Sequence, residues 1–217
     1  MIIRTGPPAL ILLLWLISGF QGRQDPLAEK ILGAVSKKYK TTAGFTARFR
    51  HDSETNSGEG RGSVTGTITV SGSRYRLVSG QTTLICDGKT VWAADSRSRE
   101  VTISDYEPEP GDITPERVYT FYQTGYKYMF MGEVRVKNAV WQALDLEPED
   151  IRKEVAKIRL YVDKKDKSIR KWIVFERGTN DREIFEIVTF RPLTRPVPAD
   201  FVFRKTDFQG YKVVDLR

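Results

Sequence analysis

Val64-Thr65-Gly66-Thr67-Ile68-Thr69-Val70 puts Val64, Gly66, Ile68 and Val70 on one side of an extended chain and three threonines on the other. A period of two is the mark of a strand with one buried face. The same period comes before it, where Phe45, Ala47 and Phe49 alternate with Thr46, Arg48 and Arg50 ahead of a Ser/Gly/Asn-rich turn. It also continues after it. Tyr75 and Leu77 sit between polar neighbours, Thr83 to Cys86 and Thr90 to Ala94 flank the turn Asp87-Gly88, and Val101 and Ile103 alternate with Thr102 and Ser104. Parallel strands would need long crossovers, so turns this close predict an antiparallel meander of about six strands.

Working outward, Asp25-Pro26 supplies an N-cap and a proline at the first helical position. Leu27, Ile31, Leu32, Val35 and Tyr39 then recur at helical spacing until Gly44. Beyond the meander, Pro108, Pro110 and Gly111 break the pattern. Thr114-Pro115-Glu116 reads as the start of a second helix, with Val118, Phe121 and Tyr122 on one face and its end at Gly125. Strand-like runs follow at 127–136, 139–146, 155–162, 169–175 and 182–190, and a proline-bearing tail carries short apolar pieces around Phe201, Phe203 and Val213. The expectation is an α+β fold, mainly β, with one large curved antiparallel sheet and two helices covering its concave side. That arrangement is a cavity with a lid.

The first 22 residues read as an export signal: Arg4 is their only charge, Ala9 to Ile17 is an apolar run, and Ser18 to Gly22 are mostly small or polar. The run is too short to span a membrane, and with no Cys after it a lipid anchor is not expected. Cleavage is placed between Gly19 and Gln24, leaving a single domain over 23–217, soluble and periplasmic. The chain has 35 Lys+Arg against 28 Asp+Glu, a net charge of +7. The positives are interspersed with acids, as in Lys164-Lys165-Asp166-Lys167, so the charge reads as a mixed solvated surface and nucleic acid is not an expected partner.

One His and one Cys cannot build a multidentate zinc, Cys-His or iron–sulfur site. His51, Asp52 and Ser53 are consecutive, and neighbouring strand positions point to opposite faces, so they cannot align as a catalytic triad. His51 reads as a surface residue at a strand end, and Cys86, on the face of Leu84, as a buried structural thiol. The acidic groups Glu107, Glu109, Asp112 and Glu147, Glu149, Asp150 lack calcium-loop spacing, and no phosphate loop or GxSxG occurs. No enzyme, metal or cofactor is expected.

Gly66-Thr67-Ile68-Thr69-Val70, Arg74-Tyr75-Arg76, Cys86-Asp87-Gly88-Lys89-Thr90-Val91-Trp92 and Glu100-Val101-Thr102 resemble the periplasmic outer-membrane lipoprotein carrier family, LolA. The similarity begins at Gly44-Phe45-Thr46-Ala47-Arg48-Phe49 and includes Ile158 to Asp163 and Ile169 to Trp172. It implies an unclosed antiparallel β-barrel capped by helices, whose hydrophobic cavity takes the acyl chains of a lipoprotein. Where the family often has Lys-Arg-Pro, with an arginine that helps hold the lid, this chain has Ser71-Gly72-Ser73.

Such a carrier has a physical reason. A triacylated lipoprotein exposes on the order of 40 methylenes, which at about 0.8 kcal/mol each would cost roughly 30 kcal/mol in water. The implied partners are acylated lipoproteins, an inner-membrane release complex and an outer-membrane acceptor, with the carrier acting as a monomer. Cavity residues implied by this reading, on the helix-covered face, are Phe45, Phe49, Ile68, Val70, Tyr75, Leu77, Leu84, Phe121, Tyr122, Tyr128, Phe130, Leu144, Ile158 and Leu160. The alternative is a lipid- or lipoprotein-sensing regulatory module of the same fold. Envelope-stress regulators of that kind usually carry a second domain, which is not expected here.

Overall fold

The computed structural model describes residues 24–109, 112–179, 181–195 and 198–217. The expected export signal lies outside the described residues. Asp25 caps the helix α1 (Pro26–Lys40), its side chain accepting from the amides of Leu27 and Ala28, while Lys37, Lys38 and Lys40 in the last turn complement the negative end of the helix dipole. Six strands follow: β1 (Phe45–Glu54), β2 (Gly60–Ser71), β3 (Arg74–Ser79), β4 (Thr82–Cys86), β5 (Thr90–Asp95) and β6 (Glu100–Asp105). After a connection over 106–125 come β7 (Tyr126–Val136), β8 (Ala139–Pro148), β9 (Val155–Asp163), β10 (Ile169–Glu176) and β11 (Arg182–Pro192), and the tail ends in β12 (Lys212–Asp215).

All of them join one twelve-stranded sheet in the order β12-β6-β5-β4-β3-β2-β1-β11-β10-β9-β8-β7. Two meanders thus run outward from a central seam, where β1 pairs antiparallel with β11 from Phe45↔Pro192 to Glu54↔Arg182. The sheet stays open, with β7 and β12 as its borders. α1 lies across the inner face: Gln24 and Asp25 bond β7, and Tyr39 at the far end packs on Phe45 and Phe190. Ala28, Ile31, Leu32, Val35 and Tyr39 bury the apolar stripe of the helix there.

Three features depart from the reading of the sequence. The expected second helix is absent: 115–120 form turns and only Phe121–Gln123 make a single 3₁₀ turn. Thr114, which looked like an N-cap, donates its hydroxyl to the Glu116 carboxylate instead, at 2.5 Å. A segment this short also cannot offset the cost of helix nucleation without a cap. The sheet is therefore covered by one helix and a loop.

The second departure is β12, which pairs parallel with β6 and breaks the otherwise antiparallel pattern. The third concerns the outer face. The row Arg76–Ile85–Trp92–Ile103 points away from α1, yet Ile85 is 1% exposed. The tail covers it. Phe203 stacks on Trp92 at 5.6 Å, Phe208 stacks on Phe203 at 5.3 Å, and Phe201 is buried. This end of the sheet has an apolar layer on both faces.

Candidate functional site

The inner face carries an apolar row across the strands, with Phe45 opposite Val70, Val70 opposite Tyr75 and Tyr75 opposite Cys86. One register further along run Ala47, Ile68, Leu77 and Leu84. Phe49, the next inward residue of β1, lies opposite Gly66, and a Cβ on that glycine would come within 2.4 Å of the Phe49 ring. Only glycine lets the ring lie over β2 at this point.

Between this face, Tyr39 and the 106–125 connection is a cavity of about 320 Å³. β1 supplies Phe45, Ala47 and Phe49, β2 and β3 supply Ile68 and Leu77, β10 supplies Ile169, Trp172 and Val174, and β11 supplies Phe185, Ile187 and Phe190; Ile113, Thr114, Pro115 and Val118 lie over them. β11 presents its three residues together because of a bulge: Arg48 pairs with Thr189 and Phe49 with Ile187, so Val188 is left over and stands 57% exposed. The polar groups of the wall carry no charge. Tyr39 accepts from the Ile169 amide at 3.1 Å, and burial pushes its phenol up to about 12.

The connection is tied down by polar bonds at both ends. Ser36 of α1 donates to the Tyr119 carbonyl and shares a bond with the Tyr122 hydroxyl, each at 2.6 Å. At the other end the Tyr106 hydroxyl donates to Glu116, whose Oε2 is buried with no partner among the described residues. Burial and this bond push the Tyr106 phenol up, so it stays a donor. Arg117 reaches back to the Glu109 carbonyl at 2.8 Å. Neither Arg74 nor Arg76 takes part in these bonds.

Of the residues expected in the cavity, Phe45, Phe49, Ile68 and Leu77 line it. Val70, Tyr75, Phe121, Tyr122, Leu144, Ile158 and Leu160 are buried beside it in the main apolar cluster, and Leu84, Tyr128 and Phe130 pack partly buried against that cluster. All share the inner side of the sheet. Unforeseen wall residues are Tyr39 of α1, Ala47 of β1 and those from β10, β11 and the loop. The alternation Phe185, Ile187 was visible in the sequence, but the bulge that adds Phe190 was not.

His51 also points inward, stacking on Phe185 with ring centroids 4.3 Å apart, rather than lying free on the surface. Asp52 faces the other way, bonded to Arg50 and Ser63 at 2.8 and 2.5 Å. Cys86 is fully buried, and burial pushes its thiol up to about 11. Among the described residues no group of three or more His, Cys, Asp or Glu could hold a metal ion, and no helix is long and apolar enough to cross a membrane.

Comparison with known families finds that the model for outer membrane lipoprotein carrier protein LolA matches residues 41–204. That span contains every wall residue of the cavity except Tyr39. No curated protein matches the chain. Among solved structures, an uncharacterized conserved protein from Thermus thermophilus is similar, with a TM-score of 0.59 at 14% identity, over 87% of this chain and 99% of that one. MucB in its complex with MucA from Pseudomonas aeruginosa gives a TM-score of 0.49 at 16% identity, over 82% of this chain and 61% of that one. Lipoprotein LppX of Mycobacterium tuberculosis gives 0.41 at 7% identity, over 80% and 98%.

Proposed function

The chain belongs to the LolA family of outer membrane lipoprotein carrier proteins, and from that membership we propose that it is a periplasmic carrier, binding the acyl chains of lipoproteins in its cavity and shuttling them from the inner to the outer membrane. The observation that carries this reading is the cavity wall: it is built from aliphatic and aromatic side chains on five strands, and its polar members are uncharged. Such a wall offsets the cost of exposing acyl chains to water while leaving the cargo chemically unchanged. Its cover favours reversible loading. Phe121 and Tyr122 anchor the far end of the 106–125 connection in the apolar cluster. The stretch from Ile113 to Val118 over the cavity is held mainly by hydrogen bonds, each of about 0.5–1.5 kcal/mol net, so that stretch can open and close as cargo arrives and leaves.

On this reading residues 1–22 direct export and 23–217 form one carrier domain that receives cargo from an inner-membrane release complex and passes it to an outer-membrane acceptor. The test is transfer of label: the protein is incubated with membranes bearing radiolabelled lipoprotein and the release machinery. A labelled one-to-one complex in the soluble fraction is expected. Absence of soluble label would overturn the shuttle role. If depletion in the cell changed stress transcription before any lipoprotein was stranded in the inner membrane, a regulatory module would replace it.

A further inference from the structure

The inner face continues beyond the apolar cavity. On β1 the inward row Phe45, Ala47, Phe49 runs on to His51 and Ser53, and cross-strand pairing sets His51 against Phe185 and Ser53 against Glu183. Val174, a wall residue of β10, is the other neighbour of Glu183. Phe185 is sandwiched in this row: His51 stacks on it at 4.3 Å and Trp172 at 5.0 Å. Glu183 Oε2 accepts from the Ser53 hydroxyl at 2.6 Å and bonds His51 Nε2. The His51 and Glu183 side chains are 27% and 30% exposed, so the cluster stands at the rim where the cavity meets water.

Its chemistry is that of an acceptor. Other carboxylates at this end of the sheet are matched to guanidinium groups, Glu54 to Arg182 at 3.0 Å and Asp181 to Arg61 at 2.6 Å. Glu183 is held by an imidazole and a hydroxyl instead, and among the described residues its Oε1 and the His51 Nδ1 have no partner. In the neutral imidazole whose Nε2 donates to Glu183, Nδ1 is an acceptor too, and Glu183 Oε1 is an acceptor whichever form the ring takes. We infer that His51, Ser53 and Glu183 form a head-group subsite that selects acyl chains carried on an N–H-bearing head, an amide or ammonium, over acyl chains that end in an anion.

This inference rests on the acyl-chain reading of the cavity and narrows it. An acyl chain linked to a peptide brings amide donors to the rim, whereas a free fatty acid or an anionic lipid brings a second negative charge beside Glu183. The net positive charge of the chain does not reverse that preference. Its pull on an anion is spread over the whole surface and screened within about 8–10 Å, while the Glu183 carboxylate acts at hydrogen-bond distance.

The test is calorimetric titration of the purified protein with three ligands that share a chain and differ in the head: dodecylamine, N-dodecanoylglycinamide and dodecanoate, each below its micellar concentration. The wild-type protein should bind the first two at least about fivefold more tightly than dodecanoate. Glu183→Gln should bring all three within about twofold of one another, chiefly by tightening dodecanoate, and Ser53→Ala, which keeps the charge, should retain the preference. Equal binding of the three ligands by wild type, or an unchanged preference in Glu183→Gln, would overturn the subsite. Failure of every ligand to bind would instead overturn the cavity as an acyl site. If Glu183→Gln does not fold, the ligand series on the wild-type protein decides.

Discussion

Ile68 of β2 lies directly opposite Leu77 of β3, and both side chains face the same cavity. Leu77 therefore looks onto open space where a core leucine would meet packed neighbours. Leu77→Ala should cost no more than about 1.5 kcal/mol, because little cavity volume is created that was not already there. Leu144, with no exposed surface, is the contrast, and Leu144→Ala should cost about 2–5 kcal/mol. Urea denaturation of the two variants measures the difference. Leu77→Glu should fold and fail to bind acyl chains, since its carboxylate would face hydrocarbon.

Tyr106→Phe removes the hydroxyl that holds Glu116 and leaves a buried carboxylate oxygen with one partner fewer. The cost should be about 1–3 kcal/mol and should fall on the loop rather than the sheet. Hydrogen exchange should accelerate at residues 112–120 while β8 and β9 keep their protection. Uniform acceleration across the sheet would show that the bond supports the whole fold.

Cys86 is buried at the end of β4, and its thiol is pushed up to about 11 by that burial. Both conditions suppress thiolate chemistry at neutral pH. Iodoacetamide at pH 7.5 should leave the native protein unmodified over the time in which the urea-unfolded chain reacts fully, and mass spectrometry distinguishes the two. Prompt modification of the native protein would mean that the strand end opens.

Asp25 ties helix to sheet. Its carboxyl is held below its ordinary value first by the amide of Phe130 and then by those of Leu27 and Ala28, against the opposing effect of partial burial. A carboxyl depressed in the folded state contributes stability above its unfolded value, near 3.8, and that contribution fades as pH falls through the folded value. Asp25→Ala should cost about 1–2 kcal/mol at pH 7. The gap to wild type should stay level above about pH 5 and narrow in acid; a gap independent of pH down to 2 would mean that the charge is irrelevant.

Much of this was legible in the sequence. Eleven of the twelve strands and α1 announce themselves, most by the period that one buried face writes into the residues, and β4, with Ile85 and Cys86 both buried, by the turn Asp87-Gly88 that follows it. β12 does not: Lys212 to Asp215 is four residues long, mostly exposed, and joined through backbone bonds to β6. The loop over the cavity carries a genuine helix-start signal in Thr114-Pro115-Glu116, which is overridden by the local bond from Thr114 to Glu116 and by the Tyr106 hydroxyl reaching the same carboxylate from outside the segment. His51 illustrates a different limit. Alternation correctly separates it from Asp52, but its partner Glu183 is 132 residues away and is brought beside it only by the β1–β11 seam. No local pattern encodes that pairing.

The border strand β7 has a consequence for how copies of this protein behave toward each other. Unpaired amides on a sheet edge are a template for another chain's strand, the usual seed of fibrous aggregation. Here the Tyr128 and Phe130 amides donate to Gln24 and Asp25, and Gln24 donates back to the Tyr126 carbonyl. Two side chains at the foot of α1 thus occupy groups along the first half of β7 that a foreign strand would need. Trimming the chain past residue 25 would leave the inner fold its walls and remove its guard, turning a self-sealed border into a site of strand exchange between molecules.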